Sequence, residues 1–296
     1  MKSTSCNSAK ALPAAVSGLF LAAVSGFANS TNVDKSGYTL FDPTPREAMR
    51  EFSTDRPDKT ESPYTVDAGH VQVELDLVNY THYRNSSAGP TVEVDAWAVA
   101  PVNFKVGLLN WLDLQTVIES YHHVTTTVGG SGGGTLRQSG FGDITSRVKA
   151  NFWGNDGGAT ALAIMPFVKF PTSQEDLGNH SVEGGLIVPF AWELPAGFGL
   201  GMMTEFDFNR NEIGAGYHTE YINSITVSHR LVGELDGYIE FFSAVIGERD
   251  FGWIGTVDVG FTYGLSENVQ LDAGVNVGVT SSADGVNPFV GLSFRF

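Results

Sequence analysis

The chain is expected to fold as an all-β protein: a transmembrane antiparallel up-and-down β-barrel of about 12 strands, with a short N-terminal periplasmic or plug segment. Three observations predict it. Apolar residues recur at every second position from Val71 onward, connections alternate between short and long, and aromatic residues crowd the ends of the apolar stripes. Composition agrees. Gly accounts for 35 of 296 residues, beside 20 Phe, 9 Tyr and 5 Trp, and Gly is poorly tolerated in helices while aromatics favour strands. The formal charge of −16 argues against nucleic acid, which needs a basic face to displace counterions from phosphates.

The first segment reads as a targeting signal. Lys2 and Lys10 precede an uncharged run, Ala11 to Ala28, and small residues then offer cleavage near 28–30, after Ala28 or Ser30. This is the order of a secretory signal peptide over residues 1–30. The only cysteine, Cys6, lies inside it, so the exported body has no disulfide to stabilise it. A lipoprotein would need its Cys after the apolar run.

Residues 31–69 lack a period of two and form the N-terminal extension. Thr44, Pro45, Arg46 and Glu47 spell a capping box with Pro at the first helical position, which predicts a short helix through about Glu51. The charged stretch Ser53 to His70 is broken by Pro57 and Pro63. It either leads along the periplasmic side into the first strand or folds into the lumen as a plug. A calcium site from Asp55, Asp58 and Glu61 has no loop motif behind it.

The barrel is expected over residues 70–296. Its strands begin near Val71, Val92, Leu112, Ile144, Thr160, Val182, Phe198, Tyr217, Ile239, Trp253, Val269 and Val290. In the first, Val71, Val73, Leu75 and Leu77 alternate with Gln72, Glu74 and Asp76. In the eleventh, Val269 to Val279 alternate with Gln270, Asp272 and Asn276. A soluble sandwich would alternate in the same way, so the connections decide. Short links at Gly107–Trp111, Gly154–Gly158, Pro195–Gly197, Val232–Glu234 and Ser266–Asn268 alternate with long polar ones, among them Val128–Phe141 and Pro171–His180. Trp111, Phe152, Trp192, Phe198, Phe208, Tyr217, Phe261 and Tyr263 suit the headgroup layers. The last strand, ending in Phe296, is the expected handle for the barrel-assembly machinery.

In lipid a closed barrel satisfies every backbone group, so the apolar faces meet outer-membrane lipid and the polar faces form the lumen. The candidate solute path is therefore Lys105, Arg147, Lys149, Lys169, Glu205, Asp207, Glu220, Arg230 and Asp258. Glu93, Asp95, Glu119 and Asp143 are assigned to the same inward faces, with Trp97, Tyr121, Tyr238 and Phe242 as stacking surface. Acids outnumber bases there, sixteen to six, which predicts a cation-preferring lumen with a local basic arc at Lys105, Arg147, Lys149 and Lys169. These charges either orient a passing solute or bridge one another.

No catalytic, metal or cofactor set is read. The chain lacks the His-x-Ser pair of lipid-active barrels; His123-x-Thr125 is its nearest approach, and no spacing promises a nucleophile with its base. His122 and His123 read as polar residues near the outer rim, with no third zinc ligand. Gly129 to Gly134 joins two strands without a following Lys-Ser/Thr and is expected as a flexible outer loop rather than a phosphate loop. The leading function is passage of a small solute across the outer membrane of a Gram-negative cell. A lipid-active hydrolase and a plugged structural barrel are the alternatives.

Several stretches resemble one known family. STDRPDKTESPYTVDAGH (Ser53 to His70), VNFKVGLLNWLDLQ (Val102 to Gln115), FGD (Phe141 to Asp143) and PFVKFPT (Pro166 to Thr172) are similar to the family named "Putative MetA-pathway of phenol degradation". The resemblance runs from about Pro43 to Phe296. It implies an outer-membrane transporter-like barrel and uptake of aromatic or hydrocarbon-like compounds, and it carries no catalytic residues to transfer.

Overall fold

The computed structural model describes residues 33–86, 90–211, 215–248 and 252–296; the expected signal peptide lies outside them. Lys35 to Phe296 form one unit. It contains β1 (Val71–Asn85), β2 (Val92–Val99), β3 (Val102–Leu109), β4 (Leu112–Ile118), β5 (Tyr121–Val128), β6 (Gly134–Gly140), β7 (Ile144–Trp153) and β8 (Thr160–Phe170). Then follow β9 (Glu183–Leu194), β10 (Phe198–Arg210), β11 (Tyr217–Val232), β12 (Leu235–Ile246), β13 (Trp253–Ser266), β14 (Val269–Gly278) and β15 (Val286–Arg295).

These segments make twelve barrel strands. β1 pairs with β3 through Val71–Leu75 and with β2 through Asn79–Asn85, so β2 and β3 are halves of one broken strand. By the same reasoning β4 continues into β5, and β6 into β7. All pairings are antiparallel, and β15 returns to β1, closing the wall. Val71 and Phe296 exchange two backbone hydrogen bonds of 3.0 Å at the seam. Closure removes the free edges that hydrocarbon would leave unsatisfied.

The expected short links are the turns at one end; Ala196 and Gly233 take left-handed conformations there, at φ of 64° and 56°. The outward face is apolar between two rings of aromatics. Trp111, Phe152, Trp192, Phe198, Phe261 and Tyr263 mark the short-turn end, while Phe208, Tyr217, Tyr221 and Trp253 mark the other.

Three expectations are corrected. The capping box does not form: Arg46–Ala48 is one 3-10 turn without a side-chain cap, and Thr44 is instead buried against the segment that precedes β1, donating its backbone N–H to Ala68 O at 2.9 Å. The outer loop expected over Val128–Phe141 is shorter, since Gly134–Gly140 is strand β6 paired with β5. Its other edge is covered by the loop after β8. Gln138 Nε2 donates to Glu175 O at 2.6 Å, and Ser139 N to Glu175 Oε2 at 2.9 Å.

The third correction concerns side-chain direction. Four neighbouring strands break at one level: β1 bulges between Asp76 and Val78, Ala100 (φ 53°) interrupts β2–β3, Glu119–Ser120 interrupts β4–β5, and Phe141–Asp143 interrupts β6–β7. An odd residue in a strand reverses every side chain beyond it. Below the break Lys105, Gln115 and Lys149 point inward. Above it Asn79 and Thr81 bond inward-facing Asn287, so Tyr80 and His82 face out. Register carries the same direction to Trp97, Asp95 and Glu93, and through Val99 to Tyr121. Glu93, Asp95, Trp97 and Tyr121, expected in the lumen, therefore stand on the outer wall. Glu119 and Asp143 anchor the breaks instead: Glu119 Oε2 accepts from Asp143 N at 3.1 Å, and Asp143 Oδ1 accepts from Ser173 N at 3.0 Å.

Candidate functional site: the plugged lumen

Ser53 to Val66 crosses the lumen and binds both walls. Asp55 reaches Lys149 at 2.6 Å and Lys105 at 2.5 Å, and Glu74 also accepts from the Lys105 ammonium. Arg56 pairs with Asp76 at 2.5 Å and Asp272 at 2.6 Å. Lys59 lies 3.3 Å from Asp258. Glu240 accepts the backbone N–H groups of Lys59 and Thr60, at 2.9 and 2.8 Å. Glu61 pairs with Arg147 at 2.5 Å. Asn151 Nδ2 donates to Pro63 O at 2.9 Å, and Val66 N donates to Asp113 at 3.0 Å. A segment with two prolines cannot join a ladder, so wall side chains satisfy its backbone.

Two wall glycines give the plug room. A side chain at Gly291 would overlap the Arg56 guanidinium, and one at Gly107 would overlap the Asp67 carbonyl. Towards the short turns, Asp67 is fully buried and holds Lys35 at 3.2 Å, Arg50 at 3.4 Å and Arg295 at 3.5 Å. Asp156, on the turn between β7 and β8, completes this clasp. Partial burial pushes its carboxyl up, but hydrogen bonds from Lys35 and Asn110 and the Arg50 charge hold it below the usual range. Beneath the plug lies a cavity of about 700 Å³ among Arg50, Phe52, Arg230, Glu234 and Arg295.

The expected lumen residues fall into three groups. Lys105, Arg147, Lys149 and Asp258 are bound by plug charges. Lys169 pairs with the wall residue Glu183 at 2.5 Å, and Arg230 with Asp236 at 3.1 Å at the short-turn end. Glu205 and Asp207 sit together on β10, with Glu220 opposite Asp207 and 3.2 Å from His218. Three of the four bases of the arc, Lys105, Arg147 and Lys149, thus face the plug, while Lys169 bridges within the wall. Asp55 and Glu61 are taken by lysine and arginine, which replaces the calcium site considered for them. Their partners were hidden in the sequence because ion pairs here join residues 50 to 94 positions apart.

A feature not expected from the sequence adjoins the basic arc, running from β8 to β13, with Phe167 directly beside Arg147. Inward side chains at one level, Met165, Ile187, Ile222, Ala244 and Ile254, form an apolar belt with Met203, Phe167 and Phe242, interrupted by Glu205. Phe242, expected as inward stacking surface, and the short stretch of β8 that is apolar on both faces were its signals in the sequence. Above the strand breaks the inward faces of β2, β5 and β6 mix apolar residues, Val92, Val94, Ala96, Val124 and Leu136, with polar His122, Thr126 and Gln138. On the outer wall, His123 Nε2 stands 3.5 Å from Thr125 Oγ1.

The sequence matches the family described as "Putative MetA-pathway of phenol degradation" over residues 54–296. The chain belongs to that family. The match begins within the plug, so plug and barrel form one family unit. No curated protein matches. Among solved structures, the COG4313 outer membrane channel from Pseudomonas putida F1 shares the fold at a TM-score of 0.56 and 12% identity, over 82% of this chain and 100% of that one. The NanC porin aligns at 0.45 and 11%, over 76% and 100%. The translocator domain of autotransporter NalP from Neisseria meningitidis aligns at 0.47 and 9%, over 76% and 88%. With its apolar exterior and closed wall, this is an outer-membrane β-barrel.

Proposed function

We propose that the chain is a gated channel carrying a small apolar or aromatic solute across the outer membrane. The observation that carries this is the apolar belt inside the lumen, facing a plug held by ion pairs. Inward Met, Ile and Phe side chains serve no wall that meets only water and salt, but they give an apolar solute a surface on its way past the plug. The family name, with its reference to phenol degradation, supports the same solute class.

The division of the chain belongs to this reading: an exported leader through about residue 30, a plug-and-clasp segment over residues 31–69, and the barrel from residue 70. So do assembly in lipid through the strand ending at Phe296 and the absence of catalysis.

Flux into proteoliposomes tests it. A phenol-sized aromatic is expected to enter faster than a sugar of similar size. Ile187→Asn, which places an amide in the belt, is expected to reduce the aromatic rate about tenfold, the equivalent of about 1.4 kcal/mol of lost apolar contact. Equal rates for aromatic and sugar would sink the proposal. Ion selectivity follows from the acids that the plug leaves without a base. Glu205, Asp207 and Glu220 make the upper lumen negative, so cations are preferred, most strongly at low ionic strength. Reversal potentials under a salt gradient should show that Glu205→Gln with Asp207→Asn lowers the preference.

A further inference from the structure

We propose that His82, Glu93 and Asp95 form a binding site for a divalent cation of borderline softness, with Zn²⁺ as the fitting case. One ligand atom from each lies within 4.8 Å of the other two, on the outer wall beyond the strand breaks. The arrangement follows from register. His82 on β1 is directly opposite Asp95 on β2, and Glu93 is two residues along the same face. The strand breaks turn all three outward, so the site is separate from the plug and the lumen.

The donor set defines the ion. One imidazole nitrogen with two carboxylates suits zinc-like ions, whereas calcium and magnesium prefer oxygen alone. His82 Nδ1 already converges on Asp95 Oδ1 at 2.9 Å. The same carboxylate is held from behind: the Tyr80 hydroxyl donates to Asp95 Oδ1 at 2.5 Å, and its ring packs on Trp97 with centroids 4.5 Å apart. A hydroxyl bonded in this way to a ligating carboxylate belongs to the outer layer that orients metal ligands. Glu93 has Arg84 directly opposite, yet among the described residues no ion pair joins them, which leaves its carboxylate to the cluster. Three protein ligands leave further positions for water.

Calorimetric titration of the untagged full-length protein in detergent with ZnCl₂ tests this, with Co²⁺ absorption reporting the ligand field. One equivalent of Zn²⁺ is expected to bind. His82→Gln or Asp95→Asn should abolish that binding while the barrel keeps its heat-modifiable gel mobility. Tyr80→Phe should weaken binding about 10–100-fold, the range for loss of an outer-layer partner. His180→Gln, at a histidine on the loop between β8 and β9, should bind as wild type does. The proposal is overturned if the wild type binds no Zn²⁺, or if His82→Gln and Asp95→Asn bind it with unchanged stoichiometry and affinity.

Discussion

Asp55→Ala is expected to open the barrel, raising single-channel conductance in planar bilayers well above that of the wild type. Asp55 is the one acid shared by Lys105 and Lys149, which are 2% and 0% exposed. Removing it leaves Lys149 without its carboxylate and Lys105 with Glu74 alone. Breaking a buried pair by deleting one partner costs about 3–5 kcal/mol, because a charge is left in a poorly solvated place. The chain escapes that cost by withdrawing the plug and admitting water to the lysines. The wall strands keep their ladders, so the gel mobility of the folded barrel should be unchanged. A variant with this cluster uncharged, Asp55→Asn and Glu74→Gln with Lys105→Met and Lys149→Met, should close again, since no unpaired charge then asks for water. Wild-type conductance in Asp55→Ala would show that the plug is not held by this contact.

The second large effect concerns the outer wall. Val259→Arg should destabilise the folded barrel by about 2–4 kcal/mol, the penalty for a cationic side chain facing lipid near mid-depth. Val259 is outward and 40% exposed, halfway along β13 and opposite Val275 and Ile239. Thr262→Arg, three residues further on the same strand, points into the cavity at the short-turn end and should fold as the wild type does. Asn276 is a poorer inward control, because it is buried and donates to Asn287 at 2.8 Å. Urea titrations of folding into lipid bilayers compare the two variants. Equal stability, or a greater loss in Thr262→Arg, would mean that the faces of β13 are wrongly assigned.

Much of the barrel was legible because one physical constraint, an apolar face to lipid and a polar face within, repeats at every second residue. The starts of the strands at Val71, Phe198, Trp253 and Val269 coincide with the expected runs. The inward direction of Lys105, Arg147, Lys149, Tyr238 and Asp258 followed from that period alone. Residues 93–97 and 121 did not, for the same reason. Their alternation is regular in sequence, but Ala100, Glu119–Ser120 and the bulge before Val78 shift the phase, and only pairing across four strands reveals the shift. Likewise Gly134–Gly140 carries weak strand residues, and becomes a strand because β5 supplies a partner.

The closed barrel, its strand number and the end with short turns are already written in the order of residues, since these depend on local alternation and local turn chemistry. That residues 53–66 occupy the lumen emerges only from the packed three-dimensional chain. A charged, proline-broken segment is equally consistent with solvent, and its place is set by counter-charges that the wall brings together from β1, β3, β7, β12, β13 and β14. The apolar belt was decided there too. Met165, Ile187 and Ile222 are unremarkable in three separate strands, and become a surface only when register sets them side by side.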